Sequence, residues 1–181
     1  SDICLQKFIN TIDNQTIETF LGKLPKEVLG EDTTGNNEVK GTFLPENTSD
    51  VSISPDFSKA FYLFNSGNSS IGTVYDLTND KKIQIFDSPF TEWLSFWPNK
   101  NMITLTTKPS SNVLGYMYSI DPNKKDLTKI LGGISGLTTL TSPDGKLVLI
   151  GNNNLSLYIY HKAQSYRDKL FLTQGISPNF P

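Results

Sequence analysis

The chain has 181 residues, with 16 basic and 18 acidic side chains. Its formal charge of −2 gives no electrostatic footprint for nucleic acid or an anionic membrane surface. One cysteine and one histidine exclude an internal disulfide, a zinc cluster and a multi-histidine metal site. Hydrophobic residues at 36% supply enough apolar surface for a core, the length suits one domain, and no apolar run approaches the roughly 18 residues of a membrane span.

In chain order, Ile3 to Ile9 and Thr16 to Leu24 read as strands, Pro25 to Glu38 as a polar loop, and Val39 to Leu44 as a closing strand. The first residue stands inside strand-like sequence, with no basic leader or apolar signal core ahead of it, which reads as a cut chain. Three similar units follow. Their first strands are Asp50 to Ile53, Trp93 to Trp97 and Thr138 to Thr141; their second strands are Ala60 to Phe64, Met102 to Thr107 and Leu147 to Ile150. Tyrosine-rich third strands run over Ile71 to Leu77, Gly115 to Ile120 and Leu155 to Tyr160. Fourth strands close the units at Lys82 to Phe86, Leu127 to Leu131 and Lys169 to Thr173. The runs are short and rich in β-branched and aromatic residues, with Gly, Asn, Asp and Pro between them, and none has helical periodicity. The chain is expected to be all-β.

A turn motif joins the first two strands of each unit. Ser54-Pro55-Asp56-Phe57-Ser58-Lys59 is echoed at Trp97-Pro98-Asn99-Lys100, at Ser142-Pro143-Asp144-Gly145-Lys146, and again at Ser177-Pro178-Asn179-Phe180. These prolines are 43, 45 and 35 residues apart, and the first two intervals suit one propeller blade. Proline sets φ for a tight turn, the neighbouring Asp or Asn bonds nearby backbone, and Gly145 supplies the positive φ that closes it. With Phe57 and Lys100 in the glycine position, the other copies are expected to turn differently.

This Ser-Pro-Asp-Gly-Lys turn at a period near 43, flanked by apolar strands, resembles the TolB-like, WD-repeat-like β-propeller repeat over Asp50 to Phe180. It is also similar to uncharacterised bacterial envelope propellers. The resemblance implies an all-β propeller with about three full four-stranded blades and partial blades at both ends, a fragment of a larger ring. The partial first blade with its long loop would occupy 1–48, blades 49–90, 91–134 and 135–175, and the start of a further blade 176–181. A four-stranded blade cannot bury both faces alone, so Phe61, Tyr62, Phe64, Phe90, Trp93, Phe96, Trp97 and Tyr116 are expected to pack between blades. The end faces are then open to self-association.

The fold by itself does not define a task. Asp50, Glu92, Trp93 and Thr138, at the starts of first strands, are the candidate channel-mouth residues for binding, with inter-blade packing as the competing role for Trp93. Other constellations fall short. Gly133-Ile134-Ser135-Gly136-Leu137 lacks the last glycine of a nucleophile elbow, and His161 with Asp168 has no placed serine. Asp121 to Asp126 and Asp76, Asn79 and Asp80 read as turns rather than calcium loops. The four Asn-x-Ser/Thr triplets at Asn14, Asn47, Asn68 and Asn154 suit asparagine-rich turns, and Cys4 a small core residue.

The resulting expectation is a non-catalytic binding or scaffolding module with a protein or glycan partner. No cofactor, metal or nucleic acid is expected, and no membrane insertion by this segment. The resemblance implies an extracytoplasmic setting, periplasmic or cell-surface. Its alternative is the substrate-gating propeller of a prolyl-oligopeptidase-like peptidase whose catalytic domain lies outside this chain.

Overall fold

The computed structural model describes residues 3–9, 12–13, 16–24 and 39–152, and the backbone of 157–161. Among these residues there are fourteen strands and no helix. A first sheet holds β1 (Ile3–Ile9), β2 (Ile17–Lys23) and β3 (Lys40–Phe43). The second holds β4 (Thr48–Ile53), β5 (Lys59–Ser66), β6 (Ser69–Asp76) and β7 (Lys81–Ser88). The third holds β8 (Trp93–Asn99), β9 (Met102–Thr107), β10 (Leu114–Ile120) and β11 (Leu127–Ser135). The last holds β12 (Thr138–Thr141), β13 (Leu147–Gly151) and β14 (Leu157–His161). Each sheet is an antiparallel meander in which only chain neighbours pair. The long loop at 25–38 and the expected strand at 169–173 lie outside the described residues.

Successive side chains of a strand point to opposite faces, and the second sheet is covered on both, so β5 is buried along most of its length. On β5, Ala60 and Tyr62 face the first sheet and join Leu21, Leu44 and Tyr75, while Phe61 and Leu63 face the third. There they meet Trp93, Trp97, Ile103 and Leu105. A third core of Met117, Leu137, Val148 and Ile150 joins the last two sheets. At about 25 cal/mol per Å² of apolar area removed from water, these inter-sheet layers are the main stabilising term.

Two expectations about aromatic packing are corrected. Phe96 is half-exposed instead of lying between sheets, because its neighbours Trp93, Ser95 and Trp97 take the face of β8 that meets β4. Tyr116 packs along its own sheet. Its ring covers Gly132, where an added Cβ would come within 2.1 Å of ring carbon Cδ1, and Lys129 Nζ sits 4.7 Å over it. That close approach, with bulges at Gly115/Tyr116 and Met117/Tyr118, lets β11 continue four residues past Leu131. Cys4 is half-buried rather than a core residue.

The turn motif also departs from expectation. Ser54 Oγ donates to Asp56 Oδ1 at 2.7 Å and accepts from Lys59 N at 2.9 Å, while Phe57 N donates to Ser54 O at 2.9 Å. The third copy repeats this with Ser142, Asp144, Leu147 and Gly145. Phe57 therefore makes the same turn as Gly145, with φ of +58° against +72°. The copy at Lys100 does differ. There Asn99 pairs with Met102, and Trp97 replaces the serine whose hydroxyl ties the other two turns.

An L-residue in this left-handed region carries a steric cost of about 1–2 kcal/mol, partly offset by its smaller entropy in the unfolded chain. Phe57 is 53% exposed, so it returns little packing for that cost. Phe57→Gly is expected to stabilise the protein by roughly 0.5–1 kcal/mol, read as a higher urea midpoint. A lower midpoint would mean that the ring contributes more by packing than the backbone loses.

Candidate binding site

The first strands β4, β8 and β12 carry the inner edges of their sheets, β4 packing against β8 and β12 against β9. An inner edge strand has N–H groups with no neighbour, and one of these is met from the preceding sheet. Asp50 Oδ2 accepts hydrogen bonds from Ser95 N and Ser95 Oγ, both at 2.6 Å, and Ser52 Oγ lies 3.0 Å from Ser95 Oγ. The register slip between Thr48 and Asp50 bends the start of β4 where this carboxylate sits.

On the opposite face of β8 the sheets part. Leu94 and Phe96 face the last sheet, and the residues paired with them, Thr106 and Thr104, are buried beneath. Thr106 Oγ1 and Thr139 Oγ1 are 2.7 Å apart and hold the two sheets together at this point. Above them is a cleft of about 270 Å³, walled by Leu94, Phe96, Leu137 and Leu140, with threonine hydroxyls along its floor. Asp50 is the one charged side chain in its lining. The interface between the second and third sheets is packed instead with tryptophan and phenylalanine. Threonines are too short to fill the cleft.

Of the four sequence candidates, Asp50 and Thr138 line this cleft. Glu92 and Trp93 do not. Glu92 is exposed and pairs with Lys108 Nζ at 2.8 Å, a contact of small energetic weight at the surface. Trp93 is 5% exposed, donates from Nε1 to Phe90 O at 2.7 Å, and meets the rings of Phe86, Phe90 and Tyr118 edge-on. Sequence reading missed Leu94, Phe96 and Leu140. The signal was there in Trp93-Leu94-Ser95-Phe96-Trp97, a first strand apolar on both faces, unlike the alternating Asp50-Val51-Ser52-Ile53.

Four other carboxylates, Asp56, Asp76, Asp121 and Asp144, are committed to turns. Asp56 and Asp144 are held below the usual Asp value by the hydroxyls of Ser54 and Ser142 and by backbone N–H groups. Asp76 is lowered by the N–H groups of Asn79 and Thr78. Burial, the hydrogen bond to Asp80 at 2.7 Å and that residue's charge push Tyr75 up to about 12. Asp121 accepts from Asn123 N at 2.9 Å, which makes its segment a turn. Among the described residues no three His, Cys, Asp or Glu side chains group as a metal site. Ser135 sits at the end of β11, followed by β12 and no helix. The His161 side chain and Asp168 lie outside the described residues.

Stacked antiparallel meanders, with first strands inward and cores between sheets, define a β-propeller fold. Solved structures agree on the fold. The β-propeller domain of the Trilobed protease from Pyrococcus furiosus matches at a TM-score of 0.59 and 13% identity, over 94% of this chain and 55% of that one. An acylaminoacyl peptidase from Pyrococcus horikoshii matches at 0.63 and 13%, over 93% of this chain and 30% of its own. TolB from Acinetobacter baumannii matches at 0.52 and 14%, over 82% and 38%. The chain thus spans from under a third to just over half of these proteins. No protein-family model and no curated protein matches it.

Proposed function

We propose that this chain is a non-catalytic binding module, a propeller sector that takes an extended peptide of a protein partner at the cleft between β8 and β12. The observation that carries this reading is the cleft's composition: exposed Leu94, Phe96 and Leu140 around a single carboxylate, Asp50. An apolar side chain in the gap, followed by a Lys or Arg reaching Asp50, matches both shape and charge. The bare inner edges of the first strands add backbone groups for an extended chain. The TolB resemblance supports an extracytoplasmic setting for this binding.

The test is a peptide array and a glycan array probed with the purified chain, followed by calorimetry on the tightest binder with wild type and Phe96→Asp. A bound peptide with an apolar–basic pair, weakened at least about tenfold by the substitution, is the expected result. Peptides bound equally by both proteins, or retention of glycans alone, would overturn the peptide reading. The peptidase-gate alternative draws on two of the structures named above, the propeller domain of a protease and an acylaminoacyl peptidase. It requires a Gly-x-Ser-x-Gly hydrolase domain in the same protein.

A further inference from the structure

Six threonines line the cleft between β8 and β12, and their hydrogen bonds separate one from the rest. Thr104 Oγ1 donates to Phe96 O at 3.3 Å, Thr106 and Thr139 bond each other, Thr107 Oγ1 accepts from Tyr116 N at 3.0 Å, and Thr138 Oγ1 donates to Gly136 O at 3.5 Å. Those hydroxyls are committed to the fold. The Thr141 hydroxyl bonds to nothing among the described residues, although Thr141 is only 4% exposed. Thr19 and Ser70 also lack partners, but their oxygens are sealed from solvent, whereas that of Thr141 is not and Thr141 lines the cleft.

Thr141 stands two residues beyond Thr139 on β12, so its side chain shares the face that meets the third sheet through Thr106. Val148, its pairing partner on β13, lies in the core between the same two sheets. A buried hydroxyl without a partner costs stability until something completes it. An occupant that does so has an apolar body, to suit Leu94, Phe96 and Leu137, and one hydrogen-bonding group that reaches Thr141. The volume of about 270 Å³ leaves room for one large side chain. Serine and threonine are too short to fill it. Asparagine and glutamine bring two donors and a carbonyl to a single open hydroxyl. Tyrosine carries one hydroxyl at the end of a ring, and that ring has the half-exposed Phe96 to pack against edge-on.

We propose that the side chain this cleft takes from its partner peptide is a tyrosine, with its hydroxyl bonded to Thr141 Oγ1. This rests on the peptide reading of the cleft and names the side chain that enters it.

The test uses the 181-residue chain and three acetylated, fluorescein-labelled peptides that differ only in a Tyr-Lys, Phe-Lys or Leu-Lys pair, read by fluorescence anisotropy. Wild type is expected to hold the Tyr-Lys peptide at least about tenfold more tightly than Phe-Lys, because a site with a bonding group for a hydroxyl rejects the analogue that lacks one. Thr141→Val, of the same shape, should bring the two within about twofold. Thr141→Ser should keep the preference. A measurement without ligand runs beside these: Thr141→Val should have a urea midpoint no lower than wild type, since the hydroxyl it removes has no bond to lose. A lower midpoint overturns the proposal. So does a Phe-Lys peptide bound by wild type as tightly as Tyr-Lys, or a tyrosine preference that survives Thr141→Val. These last two results leave the peptide reading standing, whereas failure of all three peptides to bind overturns both.

Discussion

Trp93→Ala is expected to cost about 3–5 kcal/mol, the largest single loss available in the described residues. The indole lies between the second and third sheets, edge-on to Phe86 at 5.4 Å, Phe90 at 5.5 Å and Tyr118 at 5.9 Å. Removing it opens a void that Phe61, Leu63 and Ile103, each fully buried in the same core, cannot collapse into without leaving their own strands. It also strips Phe90 O of the Nε1 donor. In a domain of this size the loss corresponds to a fall in Tm of roughly 10 °C. Trp93→Phe keeps most of the ring volume and should cost about 1–2 kcal/mol, chiefly for the lost hydrogen bond and the missing part of the ring. Urea denaturation at one protein concentration separates the two. Trp93→Ala unfolding no more easily than wild type would show that the indole does not hold the second and third sheets together.

Asp50→Ala should cost about 2 kcal/mol, because a carboxylate that accepts two short hydrogen bonds is replaced by a methyl group and the Ser95 N–H at the inner edge of β8 is left without its acceptor. Asp50→Asn retains one oxygen and is expected to lose about half as much. Ser95→Ala removes only the hydroxyl share. In the double variant Asp50→Ala/Ser95→Ala the costs should fall short of the sum of the singles by at least 0.5 kcal/mol or so, since both act on one contact. Additive losses would show that Asp50 stabilises through something other than the join between β4 and β8. The same residue gives the cleft its only charge, so Asp50→Asn should also weaken a basic peptide while leaving the fold nearly intact.

The repeat made much of the architecture legible in advance. Short strands of period two, punctuated by Pro-Asp or Pro-Asn turns, are local features, and the backbone rules behind them act within a few residues. That is why β5, β6, β9 and β10 lie where Ala60 to Phe64, Ile71 to Leu77, Met102 to Thr107 and Gly115 to Ile120 placed them. The turn at Phe57 misled for a related reason. Residue preference alone argued against a positive φ there, but the Ser54 and Asp56 hydrogen bonds that also shape Gly145's turn hold Phe57 in it.

The site was less legible. Asp50 and Thr138 belong to the cleft, while Glu92 and Trp93, chosen by the same rule of position, went to a surface ion pair and to the core. Alternation along β8 assigns Trp93 and Phe96 to opposite faces, yet it is silent on what each face meets. By itself the sequence determined an all-β chain of meander units, its turns and the alternation of its strands, because these follow from local sterics and period. Only the tertiary structure decided that one face of β8 would be sealed by Phe61 and Leu63 and the other left open over Thr104 and Thr106, because side-chain volume in the neighbouring sheet determines whether a gap is filled.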